Sequence, residues 1–555
     1  MININGKDYK YEKGQTILQV ANENNIEIPT LCYLKGVIEE ANCRICMVEL
    51  SNGKLVPACQ TLAGDFQVLT DSEKVINSRK NTLKLLLSTH HKNCEKCQKS
   101  GYCTLQKLFV KYDICDDECL SKRSYKIDNS SPCIVRDINK CILCNRCASV
   151  CSNTQEVWAL TKQQRGYDTF MGCAFNCDLN QSTCVGCGQC ALVCPTGAIV
   201  EQDETKQVQE VLNTNKVVVA QVAPSVRVSL AEAFGLPIGT FDEERMVSAL
   251  KKLGFKYVFD VNLGADFTVV EESQELLERI KDNKNLPLFS SCCPAWFKYV
   301  QNFYPNHTKH LSSCKSPTEM LGAIIKNYYS TKLGVEGDDI IVVGIMPCTA
   351  KKGEKQRGKD VDYVLTTREV AKLIKQNNID YVNLPKQKFD SPLSYYSGAG
   401  LIFGATGGVT EAVLREVMPK ISGSNEIEFS QVRNSSGRKE VEIKSGQTKL
   451  HLCIVNGLAN AKKVMDDIIS NKVNYHFVEV MACPGGCVNG GGQIYVDYQK
   501  TDIQNVKNLR ATSLYNQDNK LKIRRSGENE DLKQIYKDFF IPSPQKAKQL
   551  LHHKH

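Results

Sequence analysis

SSCCPAW at 290–296 opens the part of this 555-residue chain that decides its fold, and two related segments follow, MPCTAKKGE at 346–354 and MACPGGCVNGGG at 481–492. Each segment sets cysteine among proline, glycine or methionine. Together they supply four cysteines, which are Cys293, Cys348, Cys483 and Cys487. Thiolates drawn from turns this far apart in sequence suit an iron–sulfur cluster held inside a large domain.

The composition indicates a globular protein whose cysteines bind metal. Hydrophobic residues make up 42% and charged residues 24%, and the length favours three to four domains. No apolar run approaches the roughly 18–20 residues that span a bilayer, and the start lacks the pattern of a signal peptide. We therefore expect a cytoplasmic protein with neither membrane nor nucleic-acid partners. Disulfide frameworks belong to short secreted chains, so metal ligation is the better account of 27 cysteines.

The three segments resemble the iron-only, or [FeFe], hydrogenases, and the likeness runs from end to end. In that family they hold a [4Fe–4S] cubane, and one cysteine bridges it to a diiron subsite with carbonyl, cyanide and dithiolate ligands. The resemblance implies this combined cofactor, the H-cluster, on Cys293, Cys348, Cys483 and Cys487. It also implies a reversible reaction that joins two protons and two electrons to form hydrogen.

The first cysteine group has the spacing C-x10-C-x2-C-x12-C. Its members are Cys32, Cys43, Cys46 and Cys59, in a stretch where residues 1–12 predict a hairpin and residues 15–25 a helix. This resembles a plant-type [2Fe–2S] ferredoxin, with the longer first gap found in hydrogenases and respiratory complex I. A zinc site is the alternative.

A second group combines one histidine with three cysteines on a predicted helix-to-loop segment. The ligand candidates are His90, Cys94, Cys97 and Cys103. Taken alone, the pattern fits zinc equally well. It resembles the His-ligated [4Fe–4S] cluster of hydrogenases and complex I, whose histidine lies four residues before the first cysteine. That offset favours His90 over His91.

The third group repeats C-x2-C-x2-C-x3-C, which is typical of two-cluster ferredoxins. In those proteins the fourth cysteine of each run ligates the other cluster. We therefore expect one [4Fe–4S] cluster on Cys141, Cys144, Cys147 and Cys194, and another on Cys184, Cys187, Cys190 and Cys151. Zinc knuckles are the alternative. With the preceding groups, this makes one [2Fe–2S] and three accessory [4Fe–4S] clusters, a row suited to carrying electrons to a buried site.

Beyond about residue 209 the pattern predicts buried strands alternating with helices. The strand-like runs are KVVVAQV, FKYVFDV, LPLFSS, DIIVVGIM, HLCIVNG and YHFVEVM, and the helical ones are EERMVSALKKL, VTEAVLREVM and GLANAKKVMDDII. The predicted fold class is multidomain α+β and α/β. The resemblance implies that the last domain is a two-lobed α/β catalytic domain. The predicted domains are a [2Fe–2S] ferredoxin-like domain at 1–78, a His-ligated [4Fe–4S] module at 79–126, a two-[4Fe–4S] ferredoxin-like domain at 127–208 and a catalytic domain at 209–555.

Protons must also reach a buried metal site. Cys292 precedes the candidate ligand Cys293, so the two side chains should diverge and leave one thiol free. A helix predicted at 268–280 places Glu272, Glu275 and Arg279 along one face. The resemblance implies the relay order Cys292, Glu272, Ser312, Glu275 and Arg279. A solvated helix face with a Glu275–Arg279 ion pair is the alternative.

The resemblance implies further residues around the diiron site. Pro224, Ser225 and Lys351 occupy positions that contact the cyanide ligands in the family, and Met346 and Met481 occupy positions that pack against the cluster. Core packing is the alternative role for the methionines. The chain departs from the family at Thr318, where glutamine is usual, and at Cys314, where a small residue is usual.

Several features have no assigned role. Seven cysteines are left over, which are Cys115, Cys119, Cys133, Cys173, Cys177, Cys314 and Cys453. Two C-x3-C pairs among them could form a fifth accessory centre or a redox-active dithiol. GAGLIFGATGG at 398–408 matches neither nucleotide-loop pattern and predicts close backbone packing instead.

Charge points to a partner. The formal net charge is +9, and residues 80–112 carry seven lysines against one glutamate. A small acidic ferredoxin would be attracted there, although a solvated lysine face is equally compatible. Maturation proteins would be needed to supply the diiron subsite. Competing functions are a non-catalytic electron-transfer subunit like that of complex I, a sensory hydrogenase and the catalytic subunit of an electron-bifurcating assembly.

Overall fold

The computed structural model describes residues 1–114, 124–422, 429–433, 437–445, 448–498 and 500–553. The strands are β1 Ile2–Ile4, β2 Lys7–Tyr9, β3 Met47–Leu50, β4 Leu55–Pro57, β5 Gln67–Leu69, β6 Ile134–Arg136, β7 Thr161–Gln163, β8 Phe170–Gly172, β9 Ile199–Glu201, β10 Val217–Val222, β11 Tyr257–Asp260, β12 Leu288–Phe289, β13 Ile340–Met346, β14 Tyr363–Thr366, β15 Arg438–Ser445, β16 Thr448–Asn456 and β17 Phe477–Met481.

The α-helices are α1 Ile17–Glu23, α2 Glu73–Ser88, α3 Thr104–Lys111, α4 Arg146–Ser149, α5 Gln189–Val193, α6 Thr205–Leu212, α7 Glu243–Lys252, α8 Val261–Asp282, α9 Pro294–Phe303, α10 Pro317–Ile324, α11 Ser330–Leu333, α12 Ala350–Glu354, α13 Thr367–Gln376, α14 Gly398–Ile402, α15 Gly408–Ser422, α16 Leu458–Ile469, α17 Ile503–Asp518, α18 Glu530–Ile535 and α19 Pro544–Leu551. Short 3-10 and π turns join or extend several of them.

The N-terminal residues form a five-stranded sheet in the order β2-β1-β5-β3-β4. The predicted hairpin is present, with Ile2 opposite Tyr9. The predicted helix begins at Ile17 because Thr16 caps it, accepting from the Gln19 amide while the Gln19 side chain accepts from the Thr16 amide. Its buried side chains pack on the sheet.

The middle of the chain is loop-rich, with little regular structure. Strands β6 and β9 pair antiparallel, as do β7 and β8. Helices α4 and α5 lie within the two repeated cysteine runs, carry Cys147 and Cys190, and pack against each other. Cys151 lies in a π turn directly after α4, and the other cysteines of both runs lie in the loops around the two helices.

Two four-stranded sheets form the frame of the C-terminal part. One has the order β11-β10-β13-β14 with every pair parallel, and the other has the order β12-β17-β16-β15, parallel except for the β15–β16 hairpin. All six predicted strands are present. Strand β10 is buried along its whole length, as expected for a parallel sheet covered on both faces.

Sequence reasoning missed two strands of this frame. Strand β14 is only four residues long, and β15 reads RKEVEIKS, a largely polar edge strand. Helix α8 is also longer than predicted, since it begins at Val261 directly after β11. The Asp260 side chain caps it by accepting from the Asn262 amide at 2.9 Å, and also binds Arg227.

The C-terminal helices pack onto the frame. Helix α17 lies against α14, α18 against α8, and α19 against α10. Within the part of the chain that is described, no helix is long and apolar enough to cross a membrane.

Candidate active site and iron–sulfur centres

A cavity lies between the two sheets, where the parallel strands reach their carboxyl ends. It contains about 740 Å³ of space free of protein atoms. The turns after β10, β12, β13 and β17 all contribute to its lining. This edge is where open α/β sheets place their sites.

The four candidate cluster ligands all line this cavity. They are Cys293, Cys348, Cys483 and Cys487. Burial and then the neighbouring Cys293 raise the pKa of the Cys348 thiol to about 11, and burial with several nearby cysteines raises the pKa of Cys483 well above its ordinary value. Coordination to metal would deprotonate such thiols outright. Four soft donors around one cavity therefore fit an iron–sulfur cluster.

Cys292 and Cys293 face different parts of the core, although both line the cavity. Cys293 packs in the hydrophobic cluster around Trp296, and Cys292 packs in the cluster around Phe403. Cys293 immediately precedes α9, whereas Cys292 is placed near Glu272, whose charge adds to burial in raising the pKa of the Cys292 thiol. The divergence expected from sequence is therefore present.

The Glu272 carboxyl is buried beside Cys292 and is only 1% exposed. Neither of its oxygens has a hydrogen-bond partner among the described residues. Burial, followed by the charge of Glu275, raises the pKa of Glu272 to about 8, although Ser312 and the Ser291 backbone favour its ionised form. A carboxyl of this kind holds its proton at neutral pH and can exchange it.

Glu275 is one helical turn further along α8 and is fully partnered. Its Oε2 accepts from Ser312 Oγ at 3.0 Å, and its Oε1 lies 2.5 Å from Arg279 Nη2. Arg279 also donates to the carbonyl of Leu311 at 2.9 Å. The structure thus brings all five predicted relay residues together, and the Glu275–Arg279 side chains are largely buried rather than on a solvated face.

The five residues predicted to surround the diiron site also line the cavity. Ser225 Oγ donates to the Gly404 carbonyl at 3.3 Å, and Lys351 Nζ lies 2.6 Å from Glu354 Oε2 and 3.4 Å from the Cys292 carbonyl. Burial acts to lower the pKa of Lys351, but Glu354 and Glu319 outweigh it and raise the pKa, so the ammonium remains charged. The others, Pro224, Met346 and Met481, supply apolar surface.

The two departures from the family pattern lie in different places. Thr318 lines the cavity, and its Oγ1 is 3.5 Å from the Met346 sulfur. Cys314 is fully buried on the relay side, with its sulfur 4.0 Å from Glu275 Oε2. The glycine-rich segment serves packing, as predicted, since a Cβ at Gly404 would come within 2.5 Å of Ser225 Oγ.

Two smaller cavities are each surrounded by four cysteines of the repeated runs. One, with about 420 Å³ free of protein atoms, is lined by Cys141, Cys144, Cys147 and Cys194. The other, with about 350 Å³, is lined by Cys151, Cys184, Cys187 and Cys190. The fourth cysteine of each run therefore faces the cavity of the other run. This is the exchange expected of a two-cluster ferredoxin.

The cysteines of the first module form two close pairs. Cys46 and Cys59 have their sulfurs 3.2 Å apart, and Cys32 Sγ accepts from the Cys43 amide at 3.4 Å. A [2Fe–2S] cluster on four thiolates takes two per iron, so paired cysteines suit it.

His90 has the burial and the protonation state that a metal ligand requires. It is 9% exposed, and its Nδ1 is buried with no partner in the described residues, whereas His91 is exposed. Burial, followed by the charge of Lys140, lowers the pKa of His90 to about 4 and keeps the imidazole neutral. Neutral imidazole is the metal-binding form.

A tetrahedral zinc site brings its ligands to within about 2.3 Å of a single point. Among the described residues, no group of three or more His, Cys, Asp or Glu side chains converges in this way. The cysteines of the active site and of the two repeated runs instead surround cavities, which suits clusters of several atoms.

Hydrogen bonds connect the protein segments around the candidate cluster sites. Both N-terminal modules contact the two-run segment, and that segment contacts the active-site turns. Arg146, beside the first repeated run, donates to the carbonyls of Cys32 at 3.2 Å and Tyr33 at 2.7 Å. The His-containing module reaches the same region through the Thr104 amide, which donates to the Pro195 carbonyl at 3.0 Å. The loop of the second run meets the active-site turns, with Thr349 Oγ1 donating to the Gly186 carbonyl at 2.7 Å.

The lysine-rich stretch at 80–112 is less of a surface patch than the sequence predicted. Lys99 is 3% exposed, with its Nζ 2.9 Å from the centre of the Tyr495 ring, and burial lowers its pKa to about 7. Lys107 and Lys111 pair with Asp497 and Glu27. Lys84 and Lys96 remain exposed.

Of the leftover cysteines, Cys115 and Cys119 lie outside the described residues. Cys133, Cys173, Cys314 and Cys453 are buried, and Cys177 is half-buried. Sequence reasoning also missed a group beside Glu275 made of Ser313, His552 and Glu271. No motif marks it, because it forms only when the end of the chain packs on α10.

Five family models match separate parts of the chain. Residues 216–491 match the family "Iron only hydrogenase large subunit, C-terminal domain", and residues 504–555 match "Iron hydrogenase small subunit". Residues 1–72 match a 2Fe-2S cluster-binding domain, 79–117 the "NADH-ubiquinone oxidoreductase-G iron-sulfur binding region", and 178–200 a 4Fe-4S binding domain. The small-subunit match was not anticipated from sequence.

Individual relatives extend the same picture. The chain is 40% identical to a subunit of an NADP-reducing hydrogenase of Solidesulfovibrio fructosivorans, across 99% of this chain and 98% of the relative. It is 38% identical to iron hydrogenase 1 of Clostridium pasteurianum, across 100% and 99%. A solved [FeFe]-hydrogenase of Chlamydomonas reinhardtii matches 64% of this chain and 99% of its own with TM-score 0.57 and 34% identity.

Fold and site together define an iron–sulfur oxidoreductase with a cysteine-lined cavity between two α/β sheets. The chain belongs to the iron-only, or [FeFe], hydrogenase family. It is an oxidoreductase that acts on hydrogen, and it carries [2Fe–2S] and [4Fe–4S] binding regions.

Proposed function

We propose that the chain interconverts protons and hydrogen reversibly at the cavity between the two sheets. The observation that carries this proposal is the buried Glu272 carboxyl, which lies near Cys292 and Ser312 and has no hydrogen-bond partner among the described residues. A purely structural helix would not leave a carboxyl without partners in its core. A proton relay requires a group that can hold and release a proton there.

Cys293, Cys348, Cys483 and Cys487 would hold the H-cluster, whose diiron subsite supplies the metal chemistry when bound. Lys351 and Ser225 would direct charge and hydrogen-bonding groups at its ligands, while Pro224, Met346 and Met481 would keep the surroundings apolar and free of water. Cys292 would exchange protons at the cavity, and Glu272, Ser312 and Glu275 would carry them, with Arg279 holding the Glu275 carboxylate.

Electrons would pass through one [2Fe–2S] and three accessory [4Fe–4S] clusters on the ligand sets named above. The contacts of Arg146 and Thr349 support a route from the first module through both cubane cavities to the active site. The domain boundaries at 78, 126 and 208 are part of this proposal. The proposal also includes maturation proteins that supply the diiron subsite, and a cytoplasmic location.

Ferredoxin is the proposed electron partner. Exposed lysines in the His-containing module, such as Lys84 and Lys96, support docking of an acidic protein. Turnover at subsaturating ferredoxin should slow as salt rises, and Lys84→Glu with Lys96→Glu should raise the KM for ferredoxin without changing turnover on a dye. The exposed pair Lys520→Glu and Lys522→Glu, at the far end of the chain, is the matched control.

A second candidate is the catalytic subunit of an assembly that uses a nicotinamide cofactor. The relative named as a subunit of an NADP-reducing hydrogenase favours it, because the match covers 98% of that subunit. The chain alone would then evolve hydrogen from a reduced dye but would need companion subunits to use NADPH.

The deciding experiment is anaerobic maturation of the purified chain, followed by hydrogen evolution from reduced methyl viologen and infrared spectra of carbonyl and cyanide bands. Activity with those bands supports catalysis. Bands without activity would point to a sensor or an interrupted relay. The absence of both activity and infrared bands would contradict the proposal, provided that the same maturation procedure activates a second enzyme.

A further inference from the structure

The outermost carboxyl of the proposed relay, Glu275, has two outward neighbours. One is Arg279, which donates to Glu275 and to the carbonyls of Asn285 and Leu311, the two carbonyl contacts each at 2.9 Å. A guanidinium has no acceptor atom and keeps its protons at any pH that a folded protein meets. Arg279 can therefore hold Glu275 in place but cannot take up a proton and pass it on.

The other neighbour is Ser313, which begins a continuous line of hydrogen bonds. Ser313 Oγ lies 3.1 Å from Glu275 Oε2 and 2.9 Å from His552 Nδ1. On the far side of the ring, His552 Nε2 lies 3.0 Å from Glu271 Oε2. A hydroxyl and an imidazole can each donate and accept, so the line can carry a proton.

The end of the chain holds His552 in this position. The Lys315 amide donates to the Leu551 carbonyl at 2.8 Å, and the His553 amide donates to the Ser313 carbonyl at 2.8 Å. Leu551 is fully buried. This short antiparallel pairing fixes the His552 ring against Ser313.

The line ends at solvent. The side chains of His552 and Glu271 remain 20% and 18% exposed. Burial acts to raise the pKa of Glu271, but hydrogen bonds from His552 and Tyr536 outweigh it and lower the pKa, so a carboxylate faces the ring at the surface. An anion there would attract protons from solvent.

We propose that His552 delivers protons from solvent to Glu275 through the Ser313 hydroxyl. The inference rests on the proposed hydrogenase function. In one transfer, a solvent proton first reaches the Glu271 carboxylate. The Glu271 O–H proton then moves to His552 Nε2 as Nδ1–H gives its proton to Ser313 Oγ and the Ser313 O–H proton moves to Glu275. One proton enters and one arrives, with no change in electron count.

The first test measures hydrogen evolution by the matured enzyme with reduced methyl viologen. We expect His552→Ala and Ser313→Ala to lower the turnover number at least fivefold with unchanged iron content. Added imidazole should restore at least half of the activity of His552→Ala, which a structural defect would not allow. The matched control is His451→Ala, a half-exposed histidine on β16, which should keep full activity.

A second measurement does not depend on activity. Deuterium exchange at the histidine rings, followed by mass spectrometry on protein without the diiron subsite, reports each imidazole's surroundings. We expect the exchange rate of His552 to change at least twofold in Glu271→Gln and in Ser313→Ala. The rate at His451 should stay the same.

The outcomes separate this inference from the proposed function. An active wild type with fully active His552→Ala and Ser313→Ala variants overturns the His552 route alone. So does a loss in His552→Ala that imidazole does not relieve, combined with unchanged ring exchange. A wild type that matures but evolves no hydrogen overturns both.

Discussion

The ferredoxin-like segment and the active-site cavity collect their cysteines in different ways. Cys141, Cys144 and Cys147 come from one seven-residue run, and of the four cysteines at their cavity only Cys194 is distant in sequence. The four candidate ligands of the active-site cavity come from turns between 293 and 487, at the ends of strands in two sheets. A local run can surround a cluster once its loop folds, whereas the active-site set needs both sheets packed together.

The same contrast applies to protonation. Among the described residues, the lining of the two ferredoxin-like cavities includes one carboxyl, Asp137, and the lining of the active-site cavity includes none. Beside the active-site cavity, Glu272 and Glu275 stand one turn apart on α8 and differ sharply, since Glu272 has no partner among the described residues and Glu275 has several. The electron-carrying region needs only ligands, while the catalytic region also needs groups that exchange protons.

The largest effect should come from removing one of the four candidate ligands at the active-site cavity. Cys293→Ala should lower hydrogen evolution by about three orders of magnitude or more, because the active-site cluster loses one of its four thiolates. Iron analysis and electron paramagnetic resonance should show the accessory clusters retained. Loss of the accessory clusters as well would mean that the two regions do not fold independently.

Substitution of the neighbouring residue, Cys292, should distinguish a role in proton transfer from a role in cluster ligation. Cys292→Ala should lower turnover about 100-fold or more while iron content and carbonyl bands stay intact, since positioned proton donors contribute roughly 10²–10⁴-fold. Cys292→Ala and Cys293→Ala are purified, matured and assayed in parallel under the same conditions. Retained activity in Cys292→Ala would remove the relay.

The Glu272→Gln substitution should lower the turnover of the enzyme and raise the stability of its fold. Turnover should fall about 100-fold, because an amide cannot relay a proton. The folded pKa of Glu272 is about 8 against an ordinary 4.5, so the folded state binds the extra proton between these values and loses stability as pH rises through that range.

The corresponding measurement is the melting temperature of the unmatured protein. The difference between Glu272→Gln and wild type should grow in favour of the variant from about pH 5 to about pH 9. Glu278→Gln, an exposed change on the same helix, should show no such trend. A pH-independent difference would contradict the raised pKa.

The smallest effect should come from the peripheral module. His90→Ala should remove or alter one accessory cluster, seen by electron paramagnetic resonance, and lower dye-driven turnover by only about twofold, because a second entry through the first module remains. His91→Ala is the control and should leave every cluster signal unchanged. Equal effects of both substitutions would leave the ligand undecided between them.

Much of the fold was predictable because its signals are local. Apolar runs such as DIIVVGIM and YHFVEVM predicted the strands that end two residues before Cys348 and Cys483. Strand β15 was missed because its residues are mostly polar, and only pairing with β16 makes it a strand. The surface lysine patch was overestimated, since burial of Lys99 and the pairing of Lys107 with Asp497 depend on distant residues.

The cysteine groups, their spacings and the helix face with Glu272, Glu275 and Arg279 could be read from sequence, because metal ligation and helical periodicity leave short, regular patterns. Ser312 and the order of the relay came from the family resemblance. Only the tertiary structure decided which cysteines share a cavity, that Glu272 lacks a partner among the described residues, and that His552 meets Ser313. These properties arise when segments distant in sequence exclude water together, and no local pattern records that event.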